Sequence, residues 1–225
     1  MENINKKEFL DKSRVILEGV LDLLAGLPEL KLSNMGSKNT ALVIVDMING
    51  FARTGALKSP AVEALIPGIE RLSKACDKEG IIKVAFADNH TDASPEFESY
   101  PQHCITCTIE SEIVDELKSV GGYTLIPKNS TNGFIEEGFQ EWLKNNNDID
   151  TFVVTGDCTD ICVQQFAITL KTWFNKLDKK IRVIVPIELV DTYDLGLHNG
   201  ELMNVIAFYN MIGNGIEVVK SIVIE

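Results

Sequence analysis

A chain of 225 residues with 45% hydrophobic content is long enough to bury one substantial core. Its formal charge of -12 and pI near 4.7 repel phosphate backbones and anionic lipid, and no cluster of Lys and Arg interrupts the acidic background. The sequence therefore predicts neither a nucleic-acid nor a membrane partner. Met1 to Phe9 is polar where a secretory signal places its apolar stretch, and no run of about eighteen apolar residues follows, so a cytoplasmic protein is expected. Five cysteines, Cys76, Cys104, Cys107, Cys158 and Cys162, are an odd set in a chain with a core of its own. They argue for free thiols rather than a disulfide scaffold.

In chain order, an apolar segment from about Ile4 to Leu27 predicts a helical extension over residues 1–30. Short β-branched runs then alternate with longer stretches of helical period, the pattern of βαβ units in a parallel sheet. The expected strands are Ala41 to Asp46, Ile81 to Asp88, Tyr123 to Lys128, Thr151 to Gly156, Ile181 to Val190 and Ile216 to Ile224. Between the first two, Val62, Leu65, Ile66, Ile69, Leu72 and Ala75 recur at three and four residues, which predicts a helix over Ala61 to Glu79 that Gly80 stops. Thr159 to Leu177 carries another broad apolar face, with Thr159 or Asp160 as its expected N-terminal cap. No repeat and no Pro/Gly/Ser linker divides residues 1–225. A single domain is expected, with a doubly wound α/β fold: a mainly parallel six-stranded sheet flanked by helices, plus the extra N-terminal helix.

Ligands of such sheets bind beyond the carboxyl ends of the strands, so polar residues there carry the most information. Asp46 ends the first strand, Asp88 the second and Lys128 the third, while Cys162 lies just beyond the fourth at a helix start. Taken singly, each aspartate reads as a turn residue, the lysine as a solvated charge and the cysteine as a small core residue. Together they read as chemistry. A helix N-terminus and a neighbouring lysine would lower the pKa of a thiol. Asp46 would accept its proton and later protonate a leaving amine.

Val45-Asp46-Met47-Ile48-Asn49-Gly50-Phe51, Lys128, and Gly156-Asp157-Cys158-Thr159-Asp160-Ile161-Cys162-Val163 resemble the motifs of the isochorismatase-like cysteine hydrolases. The resemblance spans roughly Ala41 to Ile224. It implies a triad of Asp46, Lys128 and Cys162, a cis peptide bond between Asp157 and Cys158, and an oxyanion hole made by the backbone N–H groups of Cys158 and Cys162. The long connection Asn89 to Cys107 carries two of the three histidines. With Asp88-Asn89-His90, Glu96-Phe97 and Tyr100-Pro101-Gln102-His103, it resembles the metal-binding segment of nicotinamidases.

That resemblance implies one divalent metal held by Asp88, His90, Glu96 and His103. The mixed oxygen and nitrogen set suits Zn²⁺ first, with Mn²⁺ or Fe²⁺ also compatible. It further implies nicotinamide as substrate, its ring between Phe51 and Tyr100, hydrolysed to nicotinate and ammonia through a thioester on Cys162. Three departures are visible. Gly50 stands where Asp is frequent, Tyr100 where Trp is frequent, and Glu96 where a third His is frequent. A metal-free amidase or ureido-hydrolase of the same superfamily, or an inactive binding module, are the competing readings; the metal cluster argues against the first and the intact triad against the second. Cys104-x-x-Cys107 has no second pair and reads as packing. His198 lies where the family often has a histidine that is not read as catalytic, and homo-oligomer formation is left open by the apolar N-terminal segment.

Overall fold

Asn5 caps the first helix by accepting the Glu8 N–H, and the computed structural model, which describes residues 4–225, shows α1 running over Lys6–Ala25. Thereafter come β1 (Glu29–Lys31), β2 (Thr40–Val45), α2 (Asn49–Ala52), α3 (Pro60–Glu79), β3 (Ile82–Asp88), α4 (Asp115–Val120) and β4 (Tyr123–Lys128). The second half holds α5 (Glu137–Asn145), β5 (Thr151–Gly156), α6 (Gln164–Lys176), β6 (Arg182–Pro186), α7 (Gly200–Gly213), β7 (Glu217–Val219) and β8 (Ser221–Val223). Six strands form one sheet in the order β4-β3-β2-β5-β6-β7, every pair parallel. This is the expected doubly wound α/β architecture.

Burial on both faces explains the continuous apolar runs of the central strands. In β2, Ala41, Val43 and Val45 join a core with Phe86, Phe139, Phe152 and Phe166 on one face. On the other face Leu42 and Ile44 meet Leu65, Ile66, Ile69 and Leu72 of α3. Each fully buried side chain of this size contributes about 1.5–3 kcal/mol. The order in which strands are laid down reverses between β2 and β5, with β3 and β4 added on one side and β6 and β7 on the other, which places the topological switch point, and the crevice it opens, at the carboxyl ends of these two strands.

Two expected strands were too long. The run Ile181 to Val190 leaves the sheet at Pro186 and continues as a short 3-10 turn, Ile187–Leu189. Ile216 to Ile224 splits at Lys220, whose N–H donates to the Pro28 carbonyl at 2.8 Å. Its second half, β8, then pairs with β1 in a separate two-stranded parallel sheet. The N-terminal extension is thus fastened at β8 and along α7, with Val20 buried and Leu24 and Leu27 against the core. At the sheet's far edge, the Asn89 N–H donates to the Lys128 carbonyl, so by parallel alternation Pro127 faces outward, where its missing N–H blunts the edge. Among the described residues no helix is long and apolar enough to cross a membrane.

Candidate active site

The switch point gathers the strand-end residues. Asp46 follows β2, Asp88 ends β3, Lys128 ends β4, and Cys162 lies in the turn after β5. Gly156 makes this convergence sterically feasible. Its φ is +110°, and a Cβ there would lie 1.9 Å from the Val45 carbonyl oxygen, so only glycine lets β5 close on β2. The Asp157 N–H then donates to that same carbonyl at 3.0 Å, and the Asp157–Cys158 peptide is cis.

Lys128 is the hub. Its side chain is wholly buried, with Nζ 2.8 Å from Asp46 Oδ2, in a short contact with Asp88 Oδ1, 3.1 Å from the Ser130 carbonyl and 3.6 Å from Cys162 Sγ. The Asp88 N–H donates to Asp46 Oδ1 at 3.0 Å, which fixes that carboxylate and leaves Oδ2 toward Lys128 and the thiol. Burial and the neighbouring Asp88 push Asp46 up to about 6, with Lys128 and the thiol pulling the other way. Burial likewise pushes Asp88 up, but Lys128 and the two imidazoles outweigh it and hold that carboxyl well below the usual range.

The thiol departs from expectation. Burial drives Cys162 well above the ordinary thiol value, and the carboxylates of Asp46, Asp88 and Asp157 add to it; Lys128 opposes them without prevailing. The lysine's charge is already shared between two carboxylates. The resting pair is therefore thiol and carboxylate, with Asp46 placed to take the proton. Nor does the helix begin as expected. Thr159–Val163 forms a π-turn capped at Cys158 without a side-chain hydrogen bond, and α6 starts only at Gln164. Thr159 is buried with an unpartnered hydroxyl, and Asp160 binds His198 instead of capping.

Cys158 precedes this turn and Cys162 lies within it. The Ile161 and Val163 N–H groups both return to the Cys158 carbonyl at 3.1 Å, while the Cys158 N–H itself has no protein acceptor among the described residues. N–H groups at the start of a helical turn lack internal acceptors, which suits them to a developing oxyanion.

On the far side of Lys128 lie the histidines. His90 Nδ1 donates to Asn129 Oδ1 at 3.1 Å and His103 Nδ1 to the Pro101 carbonyl at 2.8 Å, so both Nε2 atoms are left free. His90 Nε2 is buried without a hydrogen-bond partner. The two Nε2 atoms lie 3.5 and 3.8 Å from Asp88 Oδ2, too far for hydrogen bonds. Ligands at bond lengths of about 2.1 Å around one tetrahedral ion stand roughly 3.4 Å apart, so this spacing fits a divalent metal. Asp88, His90 and His103 form the cluster, their ligand atoms all within 4.8 Å of one another. Glu96 stands at its margin: Oε2 is 3.7 Å from His90 Nε2 while Oε1 accepts the Thr131 N–H at 2.8 Å.

A small pocket joins the two halves. It is lined by the expected Phe51, Tyr100, Asp88, Glu96, His103, Cys158 and Cys162, and by Leu57, Thr131, Ile161 and Tyr193, which sequence reasoning did not select. A wider groove beside β4 holds Asp77, Lys83, Glu141 and Trp142 but no nucleophile and no metal-binding set. Gly50 has a local cause, because a Cβ there would lie 2.5 Å from Cys104 Sγ and 3.0 Å from the Glu110 carbonyl. Cys104 is accordingly a packed core residue, whereas Cys107 is exposed, contrary to the packing expected of both; neither is in a disulfide.

Comparison with known proteins agrees with this fold. Residues 40–210 match the Isochorismatase domain. Nicotinamidase 1 of Arabidopsis thaliana is 33% identical over 217 residues, covering 83% of this chain and 88% of that protein. The N-carbamoylsarcosine amidase of Thermoplasma acidophilum superposes with a TM-score of 0.67 at 25% identity, over 81% of this chain and 96% of its own. The zinc complex of Pyrococcus horikoshii pyrazinamidase, at 23% identity, shares the fold with a TM-score of 0.68 over 81% and 99% of the two chains. By the extent of these matches, this chain belongs to the isochorismatase domain family.

Proposed function

We propose that this protein is a nicotinamidase, an amidohydrolase that converts nicotinamide to nicotinate and ammonia. The reading is carried by one observation: Cys162, in contact with Lys128 of a buried Asp46–Lys128 pair, lines one pocket with Asp88 and His103, and these two stand with His90 at metal-ligand spacing. The likeness to the Arabidopsis nicotinamidase supports it. Asp88, His90 and His103, with Glu96 after a small movement, would hold a divalent ion, zinc by the chemistry of the donors. When bound, such an ion supplies a Lewis-acidic point that orients a ring nitrogen or its bound water.

The chain's own residues do the rest. Asp46 takes the Cys162 proton, with Lys128 compensating the charge that moves between them. The thiolate sulfur attacks the carboxamide carbon, and the oxygen's negative charge falls on the N–H groups of Cys158 and Cys162. Asp46 returns the proton to the departing nitrogen, and ammonia leaves a thioester on Cys162. Asp46 next removes a proton from water as its oxygen attacks that thioester. Collapse releases the carboxylic acid and restores the thiol. Phe51 and Tyr100 would confine a flat ring while these steps proceed.

Ammonia release from nicotinamide, measured with purified protein before and after chelation and beside metal analysis, tests the proposal. Release that chelation abolishes supports it. Bound metal without release would retire nicotinamide as substrate, and release from a ureido compound alone would favour the kind of activity named for the Thermoplasma relative.

A further inference from the structure

The third histidine belongs to neither the triad nor the metal cluster, yet it touches both the pocket wall and the nucleophile's turn. His198 stacks flat on Tyr193, with ring centroids 4.0 Å apart and planes 8° from parallel. Its Nδ1 donates to the Tyr193 carbonyl at 2.8 Å, and its Nε2 lies 2.8 Å from Asp160 Oδ2. Asp160 is two residues before Cys162 in the same π-turn. All three contacts of the imidazole, one face and both nitrogens, are therefore spent on holding Tyr193 against the turn that carries the nucleophile.

The segment around them is built to stay in place. The Thr159 N–H donates to the Asp191 carbonyl at 3.0 Å, and Asn204 of α7 donates to Asp191 Oδ1 at 2.8 Å. Leu195 and His198 exchange backbone hydrogen bonds at 2.9 Å, which closes a tight turn beyond Tyr193. Asp194 Oδ1 accepts the Gly200 N–H at 2.8 Å and ties that turn to the start of α7. Tyr193 thus reaches the pocket from a braced loop, beside Cys158, Ile161 and Cys162.

We propose that His198 is a positioning residue that clamps Tyr193 as a fixed aromatic wall of the substrate pocket, and that Tyr193 selects flat, ring-bearing amides over acyclic ones. The inference extends the nicotinamidase reading by naming what sets its preference for a ring. A tyrosine held by a stack on its other face loses little freedom when a substrate ring packs against it, so the contact favours binding rather than the chemical step. Asp160 keeps the clamp in register with Cys162, so wall and nucleophile move together.

The test compares Tyr193→Ala, Tyr193→Phe, His198→Ala and His198→Phe with the unaltered protein in two assays. In the first, KM for nicotinamide rises roughly three- to tenfold in both alanine variants, as loss of one aromatic contact predicts, while kcat changes less than about twofold. Both phenylalanine variants keep a ring in the stack, so each recovers most of the KM change of its alanine counterpart, His198→Phe the less because it lacks the two nitrogen contacts. The second assay needs no turnover: Cys162 is alkylated with iodoacetamide and with its N-phenyl analogue, and the ratio of rates is the readout. The unaltered protein favours the ring-bearing reagent, and both alanine variants lose that preference. Alanine variants with unchanged KM and unchanged ratio overturn the proposal, as does a fall in kcat alone. Should nicotinamide not be a substrate at all, the alkylation ratio still decides for or against the wall. Tyr193→Leu, apolar but without a ring, replaces Tyr193→Ala if the latter does not fold, and it must also lose the preference.

Discussion

Replacing Lys128 with methionine removes the one cation among Asp46, Asp88 and Cys162 while keeping a side chain of similar length. Lys128 and Asp46 are fully buried and Asp88 is 2% exposed, so water cannot take over the lysine's role. Breaking a buried ion pair from one side costs about 3–5 kcal/mol, because the partner is left charged and unsolvated. Part of that is recovered as Asp46, already up to about 6, takes a proton. In metal-free protein the expected loss is about 3 kcal/mol, a lowering of Tm by roughly 6–12 °C for a chain of this size. Urea titration of the chelated variant measures it directly. Adding Asp46→Asn to Lys128→Met should restore stability, since one of the two orphaned carboxylates is gone, and the double-mutant cycle should show coupling above about 1 kcal/mol. A loss below about 1 kcal/mol, or a double variant whose losses simply add, would refute the view of Lys128 as the charge that lets the site stay buried.

Gly156→Ala must displace the Val45 carbonyl, only 1.9 Å from the new Cβ, and should destabilise the fold by about 3 kcal/mol or more; a Tm within a degree or two of the parent would contradict this. His90→Ala removes one of three gathered ligands, so zinc retained after desalting should fall at least about tenfold, and undiminished metal content would count against the site. In the metal-stripped protein the rate of Cys162 alkylation should rise with pH through about 6, because Asp46 serves as base only when ionised. A rate that stays flat until the thiol's own range would show that Asp46 does not assist.

Much of this arrangement is legible in the chain because strand ends in a parallel sheet are positions of known function. Asp46, Asp88 and Lys128 each close an apolar run, and the sheet order brings those ends to one crevice. What the sequence conceals is what depends on tertiary path. The strand after Arg182 stops at Pro186, and the last strand passes its second half to β1, a three-residue partner too short to show alternation. Tyr193, Leu57 and Thr131 enter the pocket from connections with no period, and the one clue to Tyr193 was a histidine five residues on. Cys162 failed in a different way. Spacing places the thiol near a cation, but only the folded structure shows that two carboxylates already share that cation and that burial pushes the thiol up.

The proposed hydrolysis turns on Cys162 as the nucleophile that opens an amide. Ammonia release from nicotinamide by the metal-loaded protein, run beside a folded Cys162→Ala variant with the same metal content, is the most direct measurement. The parent should release ammonia steadily, and the variant none above the uncatalysed background. Comparable release by both proteins would contradict the cysteine mechanism, and silence from a metal-loaded parent would contradict the assignment of nicotinamide.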